Sequence, residues 1–137
     1  MSSDPWEVIK CKSRYAVVGA TRNTDKYGYL IFRILVDYGY TALAVNPHYD
    51  SIDDQPCYES LSALPEVPEV VVPVVPPEVT EGIIEEAHRL GIGTVWMPPG
   101  AGSAAAIAEC ERWGMEHVDD ACVILAVRHC GPRQAGR

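Results

Sequence analysis

Short, unbroken apolar runs set between stretches of helical spacing constrain this chain more than any other feature. Tyr15-Ala16-Val17-Val18, Thr41-Ala42-Leu43-Ala44-Val45 and Val70–Val75 are the first three runs, and Gly93–Met97 and Met115–Val118 complete the set. A strand with one wet face alternates apolar and polar residues, whereas a continuous run is buried on both faces. Between the runs, Tyr27, Ile31, Ile34, Leu35 and Tyr38 recur at helical spacing, as do Val79, Ile83, Ala87 and Leu90. Gly39, Gly91 and Gly114 stand where such helices would close. Further helices are expected over residues 104–113, behind Ser103 as N-cap, and over 120–128.

Strand alternating with helix predicts an α/β fold: a doubly wound, five-stranded parallel sheet in three α/β/α layers, with right-handed crossovers. A length of 137 residues, 47% of them apolar, suits a single domain with one core. Asp4-Pro5 is a helix start, so residues 1–14 are expected to be an N-terminal helical extension. Residues 15–130 form the domain, and 131–137 a flexible tail. Residues 48–69 read as loop, with a helical turn near Tyr58–Ala63. Pro68 and Pro73 suggest that the third strand lies at a sheet edge, where proline is tolerated.

Several classes of function are disfavoured. No apolar run approaches the roughly 20 residues that span a bilayer, and the N-terminus has no basic leader followed by an apolar segment. A cytoplasmic location is expected, with no membrane partner. The five cysteines, Cys11, Cys57, Cys110, Cys122 and Cys130, are odd in number and lack a C-x-x-C pair. They read as reduced thiols, mostly small buried apolar groups, rather than a disulfide framework or zinc knuckle. A net charge of −8 argues against nucleic acid as a partner. Six of the eleven basic side chains nevertheless fall within residues 10–33 (Lys10, Lys12, Arg14, Arg22, Lys26 and Arg33), where Asp25 is the only acid. This clustering around a glycine-bearing turn suggests a local anion site.

In open α/β sheets, ligands bind beyond the carboxyl ends of the strands. The first strand is followed there by Gly19-Ala20-Thr21-Arg22, then Lys26 and Gly28. Gly19 allows a sharp turn, and the helix starting near Lys26 offers free N–H groups and a positive dipole end. Lys26 and Arg22 add formal charge, and Gly28 permits close packing of helix on ligand or strand. The pattern is neither G-x-x-x-x-G-K-[ST] nor G-x-G-x-x-G. A dinucleotide site would want an acid at the end of the second strand, where Asn46-Pro47 stands instead. Gly100-Ala101-Gly102-Ser103 is a second glycine-bearing helix start, read equally well as a ligand contact or a plain capped turn.

No catalytic set emerges. G-x-S-x-G and H-E-x-x-H are missing, and His48, His88, His117 and His129 are scattered. They read as surface or structural histidines, His48 being the one nearest the expected site. Asp119 and Asp120 are adjacent, so they project differently and make a poor metal site. Cys122 reads as a small core residue.

Together these segments resemble the CoA-binding domain family, the Rossmann-like module also found as the N-terminal domain of succinyl-CoA synthetase alpha subunits. The resemblance rests on Val17–Thr21 with Lys26 and Gly28, Gly39-Tyr40, Val45-Asn46-Pro47 and Cys57–Leu61. Pro76-Pro77-Glu78, Glu85-Glu86-Ala87, Val95-Trp96-Met97 and Asp120-Ala121-Cys122 extend it over nearly the whole chain. It implies a stand-alone module that binds coenzyme A or an acyl-CoA and has no catalytic centre of its own. The CoA phosphates would lie on Gly19, Ala20, Thr21, Arg22 and Lys26. Asn46, Pro47, Val75, Pro76 and Pro77 would frame the adenosine, and Trp96 and the turn at Pro98 would flank the pantetheine arm. The chain departs from the family pattern at Val75 (often Arg), Pro98 (often Gln) and Ala126 (often Glu). An acyl-CoA ligase or acyltransferase is the expected protein partner, and the chain itself a monomer or homodimer. The alternatives are a small NAD(P)-binding oxidoreductase or redox subunit, and a scaffold that has lost its ligand.

Overall fold

A computed structural model describes residues 2–133. The chain runs α1 (Pro5–Cys11), β1 (Arg14–Val18), α2 (Tyr27–Asp37), β2 (Thr41–Val45), β3 (Ser51–Ile52) and β4 (Gln55–Tyr58). After a 3-10 turn over Leu61–Ala63 come β5 (Val70–Pro73), α3 (Pro77–Arg89), β6 (Thr94–Met97), α4 (Ala104–Arg112), β7 (Glu116–Asp119) and α5 (Val123–Cys130). One sheet has the order β3-β4-β2-β1-β5-β6-β7. All strands run parallel except β3, which pairs antiparallel with β4.

Period-2 alternation divides the strand side chains between two apolar layers. Tyr15, Val17, Val70, Val72, Trp96 and Val118 face α1, α2 and α5. Ala16, Val45, Val71, Val95 and Met97 face α3 and α4 through Ile83, Ile84, Ala87, Ala106 and Cys110. The doubly wound, three-layer α/β fold is thus present, Rossmann-like and with the sheet buried on both faces.

Seven strands replace the expected five. The additional pair, β3 and β4, lies in the stretch read as loop, and β4 extends the sheet beside β2. β5 is not an edge strand: it pairs with β1 on one side and β6 on the other. Proline is accommodated because Pro73 is the last residue of β5, beyond the Val70↔Thr94 and Val71↔Val95 pairs of the β6 ladder. Pro68 precedes the strand altogether.

The first residues are integral to the core. Val8 and Ile9 of α1 are buried. The Tyr15 and Tyr40 hydroxyls donate to the Val8 and Ile9 carbonyls, each at 3.3 Å. At the other end, the Arg133 N–H donates to the Tyr38 carbonyl at 2.8 Å. Residues 134–137 of the expected tail lie outside the described residues. The cysteines are reduced, but only Cys110 is buried. Cys11 is exposed, Cys57 is half-buried in β4, and Cys122 and Cys130 are half-buried at the two ends of α5. Burial pushes the Cys110 thiol up to about 12, so it is inert packing. Among the described residues no helix is long and apolar enough to cross a membrane.

Candidate functional site

The chain leaves β1 toward β2 on one side and returns to β5 on the other. The carboxyl ends of β1 and β5 therefore mark the crevice where an open sheet of this kind takes its ligand. Gly19 turns there with φ +96°. A Cβ on Gly19 would overlap the Val74 carbonyl oxygen, and one on Gly28 would overlap the Gly19 carbonyl oxygen. The β1 turn is thus clamped between the β5 loop and the first turn of α2. Of the two roles expected for Gly28, close packing within the protein is the one observed.

Three adjoining cavities make a groove along this edge. The first, about 320 Å³, lies between Gly19, Asn46-Pro47-His48 and Glu59-Ser60-Leu61 on one wall and Val75, Val79, Ile83 and Glu86 on the other. The second, about 500 Å³ and shallow, shares Val75 and continues past Tyr27, Pro76 and Pro77 to Pro98, Pro99 and Gly100. The third, about 240 Å³, shares Pro98 and Gly100 and ends among Met97, Ser103, Ile107, Asp119 and Asp120.

The candidate residues separate into three groups. Gly19, Asn46, Pro47, Val75, Pro76, Pro77 and Pro98 line the groove directly. Others brace it. Ala20 is buried, and its carbonyl accepts from Asn46 Nδ2 at 2.9 Å. Asn46 Oδ1 accepts the His48 N–H at 2.9 Å. Asn46 is therefore spent tying the β1 and β2 loops together. Thr21 Oγ1 meets the Tyr49 hydroxyl at 3.1 Å and accepts the Asn23 N–H at 3.2 Å. Arg22 turns away toward β3: its Nε donates to the Ser51 carbonyl at 2.8 Å and its guanidinium lies over the Tyr49 ring.

Lys26 is exposed and stands at the N-cap of α2, where no side chain caps the helix. It has no carboxylate partner among the described residues. Trp96 is a correction. Its indole is fully buried in the α1/α2/α5 layer and its Nε1 donates to the Ala121 carbonyl at 2.7 Å, so it does not line the groove.

The run of basic residues is dispersed as well. Arg14 lies 3.9 Å from Glu69 and Arg33 lies 3.3 Å from Asp53. Lys10 and Lys12 flank the opposite end of β1. Only Arg22 and Lys26 remain near the Gly19 turn. At the second glycine-bearing start, Ser103 Oγ accepts the Ala106 N–H at 3.0 Å, the geometry of a plain capped turn.

His48 reaches the first cavity, as expected from its position. His117 does not fit a surface role: it is 1% exposed, with Nδ1 2.6 Å from Asp119 Oδ1. Cys122 is half-buried and accepts from the Tyr27 hydroxyl at 2.8 Å. Burial and that contact together raise the Tyr27 hydroxyl well above its usual range. The cavity residues Glu59, Ser60, Val79, Ile83 and Glu86 were not anticipated as site residues. Glu59, Ser60 and Glu86 had a sequence signal only as members of the segments carrying the family resemblance, and Val79 and Ile83 only as apolar positions at helical spacing.

Comparison with known proteins places the chain. A family profile described as "CoA binding domain" matches residues 13–128. The ADP-forming acetate–CoA ligase I of Archaeoglobus fulgidus is 33% identical over 118 residues, covering 79% of this chain but 17% of the ligase. The ADP-forming acetate–CoA ligase of Methanocaldococcus jannaschii is 32% identical over 77 residues, 56% of this chain and 11% of that protein. The chain thus spans about a sixth or less of these curated relatives. Among solved structures, a conserved hypothetical protein of Pyrococcus furiosus is 37% identical with a TM-score of 0.79, covering 82% of this chain and 97% of its own. The dinucleotide-forming acetyl-coenzyme A synthetase 1 of Ca. Korarchaeum cryptofilum, solved with phosphate and ADP, is 25% identical with a TM-score of 0.73, covering 83% and 27%. With the profile spanning both layers and every loop of the groove, the chain belongs to the CoA-binding domain family.

Proposed function

We propose that this chain binds coenzyme A or an acyl-CoA along the groove, as a binding module without a catalytic centre of its own. One observation carries the reading: at the switch point of the sheet the Gly19 turn lines one cavity, and Tyr27, first residue of α2 after the uncapped Lys26 position, lines the next. The uncapped start of α2 and the Lys26 ammonium bind the diphosphate. Adenosine enters the first cavity, between Asn46-Pro47 and Val75. The pantetheine arm runs past Pro76 and Pro77 to the Pro98–Gly100 turn. Stiff proline turns shape such a slot with little loss of entropy on binding.

The polar groups nearest the groove act by position. Asn46, Thr21 and Ser103 are engaged by backbone, and Asp119 by His117. Chemistry then belongs to a partner acyl-CoA ligase or acyltransferase in the cytoplasm, with this module holding the cofactor. The NAD(P) alternative is weaker because the amide at the tip of β2 is already committed to the Ala20 carbonyl.

Mass spectrometry of ligand released from the purified protein, with calorimetric titration, tests the reading. CoA is expected to co-purify or bind. Lys26→Ala should weaken CoA about tenfold and leave pantetheine unchanged, because a charged hydrogen bond contributes about 1.5–3 kcal/mol. NAD(H) in place of CoA would establish the redox alternative, and no heat with either would leave only a scaffold.

A further inference from the structure

The first cavity has a charge pattern that the CoA reading does not use. Glu59 and Glu86 both line it, and among the described residues His48 is the only other titratable side chain there. Neither carboxylate has a cationic partner among the described residues, Glu86 accepting only the Ser62 hydroxyl at 2.9 Å. Among the described residues no lysine or arginine lines the cavity. Arg89, three residues beyond Glu86 on α3, does not line the cavity; Arg22 is turned outward onto the Ser51 carbonyl, and Arg33 is paired with Asp37 and Asp53. Position 75, where the family pattern often has arginine, is the apolar Val75 shared by two cavities.

We propose that Glu59 and Glu86 make this cavity select a nucleotide end with a free ribose 3′-hydroxyl over one bearing a 3′-phosphate. The inference rests on the CoA reading above. The ribose is joined directly to the diphosphate. With the diphosphate on the Gly19–Lys26 turn, the 3′ substituent enters the cavity or its rim. A phosphate there adds about two negative charges facing two carboxylates, one on the exposed Glu59 and one on the half-buried Glu86, and like charges repel. A hydroxyl instead donates to a carboxylate, the pairing that acidic residues make with ribose in nucleotide sites. Dephospho-CoA, and CoA-like molecules ending in ADP, are therefore the favoured class.

Calorimetric titration of the full chain with CoA and with dephospho-CoA at low ionic strength tests this. Dephospho-CoA should bind about tenfold more tightly, from two charge pairs at partly screened separations. The ratio should shrink as salt is added. In the Glu59→Gln/Glu86→Gln variant the ratio should approach one, through a gain in CoA affinity. Glutamine keeps an acceptor for Ser62, so folding is preserved, and circular dichroism verifies it. Equal affinities in the wild-type protein, or tighter binding of CoA, would overturn the selectivity and leave the CoA reading standing. Binding of neither would overturn both.

Discussion

Gly28 shows how a single hydrogen atom sets the spacing of the site. Alanine is favoured over glycine in a helix by about 1 kcal/mol. At this position, however, a methyl group would overlap the Gly19 carbonyl oxygen, which is fixed backbone. Overpacking of that kind costs about 1–3 kcal/mol. Gly28→Ala is therefore expected to lose up to about 2 kcal/mol of stability, read from the midpoint shift in urea, whereas a gain of about 1 kcal/mol, the bare helix preference, would mean that α2 floats free of the β1 turn. Gly19→Val adds positive-φ strain to a clash with the Val74 carbonyl, so it should be worse folded than Gly28→Ala and bind no ligand. A third residue acts at the opposite end of the sheet. Burial alone would raise the Glu69 carboxyl. It accepts the Ser13 N–H at 2.8 Å, the Ser13 hydroxyl at 3.2 Å and the Arg14 N–H at 3.2 Å. These contacts outweigh burial and hold it below the usual carboxylate range. A depressed carboxyl stabilises the fold above its unfolded-state pKa and loses that contribution as pH falls through the folded-state value. The stability gap between wild type and Glu69→Gln should be full at neutral pH and close in acid, below the ordinary glutamate range. A gap that widens in acid would contradict the assignment.

At the level of elements, α1 is the clearest case of an outwardly minor segment that the core depends on. Its seven residues are too few to be helical alone. Its stability comes from Val8 and Ile9, buried against α5, and from two tyrosine hydroxyls that take its carbonyls. Ile9→Ala should therefore cost about 2–5 kcal/mol in thermal or urea unfolding, and a loss below about 1 kcal/mol would return α1 to the status of an appendage. The long elements were legible because their apolar periodicity is strong and glycine or proline marks most of their ends. The β3–β4 hairpin was not. Its strands are short, carry Ser51, Gln55 and Pro56, and turn on Asp53 and Asp54 with φ of 49° and 64°. That double positive φ belongs to a two-residue hairpin turn normally announced by Asn-Gly, so aspartates gave little warning. The place of β5 was hidden for another reason. Whether a strand-end proline faces an open edge or the far side of a finished ladder depends on the neighbour's length, which only the assembled sheet shows.

The whole molecule explains which part of the candidate site could be read in advance. Residues within one loop stay together in space, so Gly19, Asn46-Pro47, Pro76-Pro77 and Pro98 were legible as strand-tip residues and meet in one groove. The basic run was misleading because β1 carries the chain across the sheet, about 16 Å for five extended residues, and leaves Lys10, Lys12 and Arg14 at the wrong end. Trp96 was misleading because strand side chains alternate, and its parity turns it inward to the Ala121 carbonyl. A ligand lying along the groove contacts loops from β1, β2, β5 and β6, and thereby ties strands on both sides of the switch point. Binding should then stabilise the domain as one cooperative unit. At a concentration of CoA or dephospho-CoA about a hundred times its Kd, global unfolding should become about 2.7 kcal/mol more costly. Hydrogen exchange distinguishes this from local ordering. Amides of β1, β5 and β6, which exchange by global opening, should all gain that same protection, and amides of the loops after β1, β2, β5 and β6 should gain protection up to the same amount. Loop protection confined to the Gly19–Gly28 turn, with the loops after β2, β5 and β6 unchanged, would mean that the ligand touches one loop and that the groove is not its path.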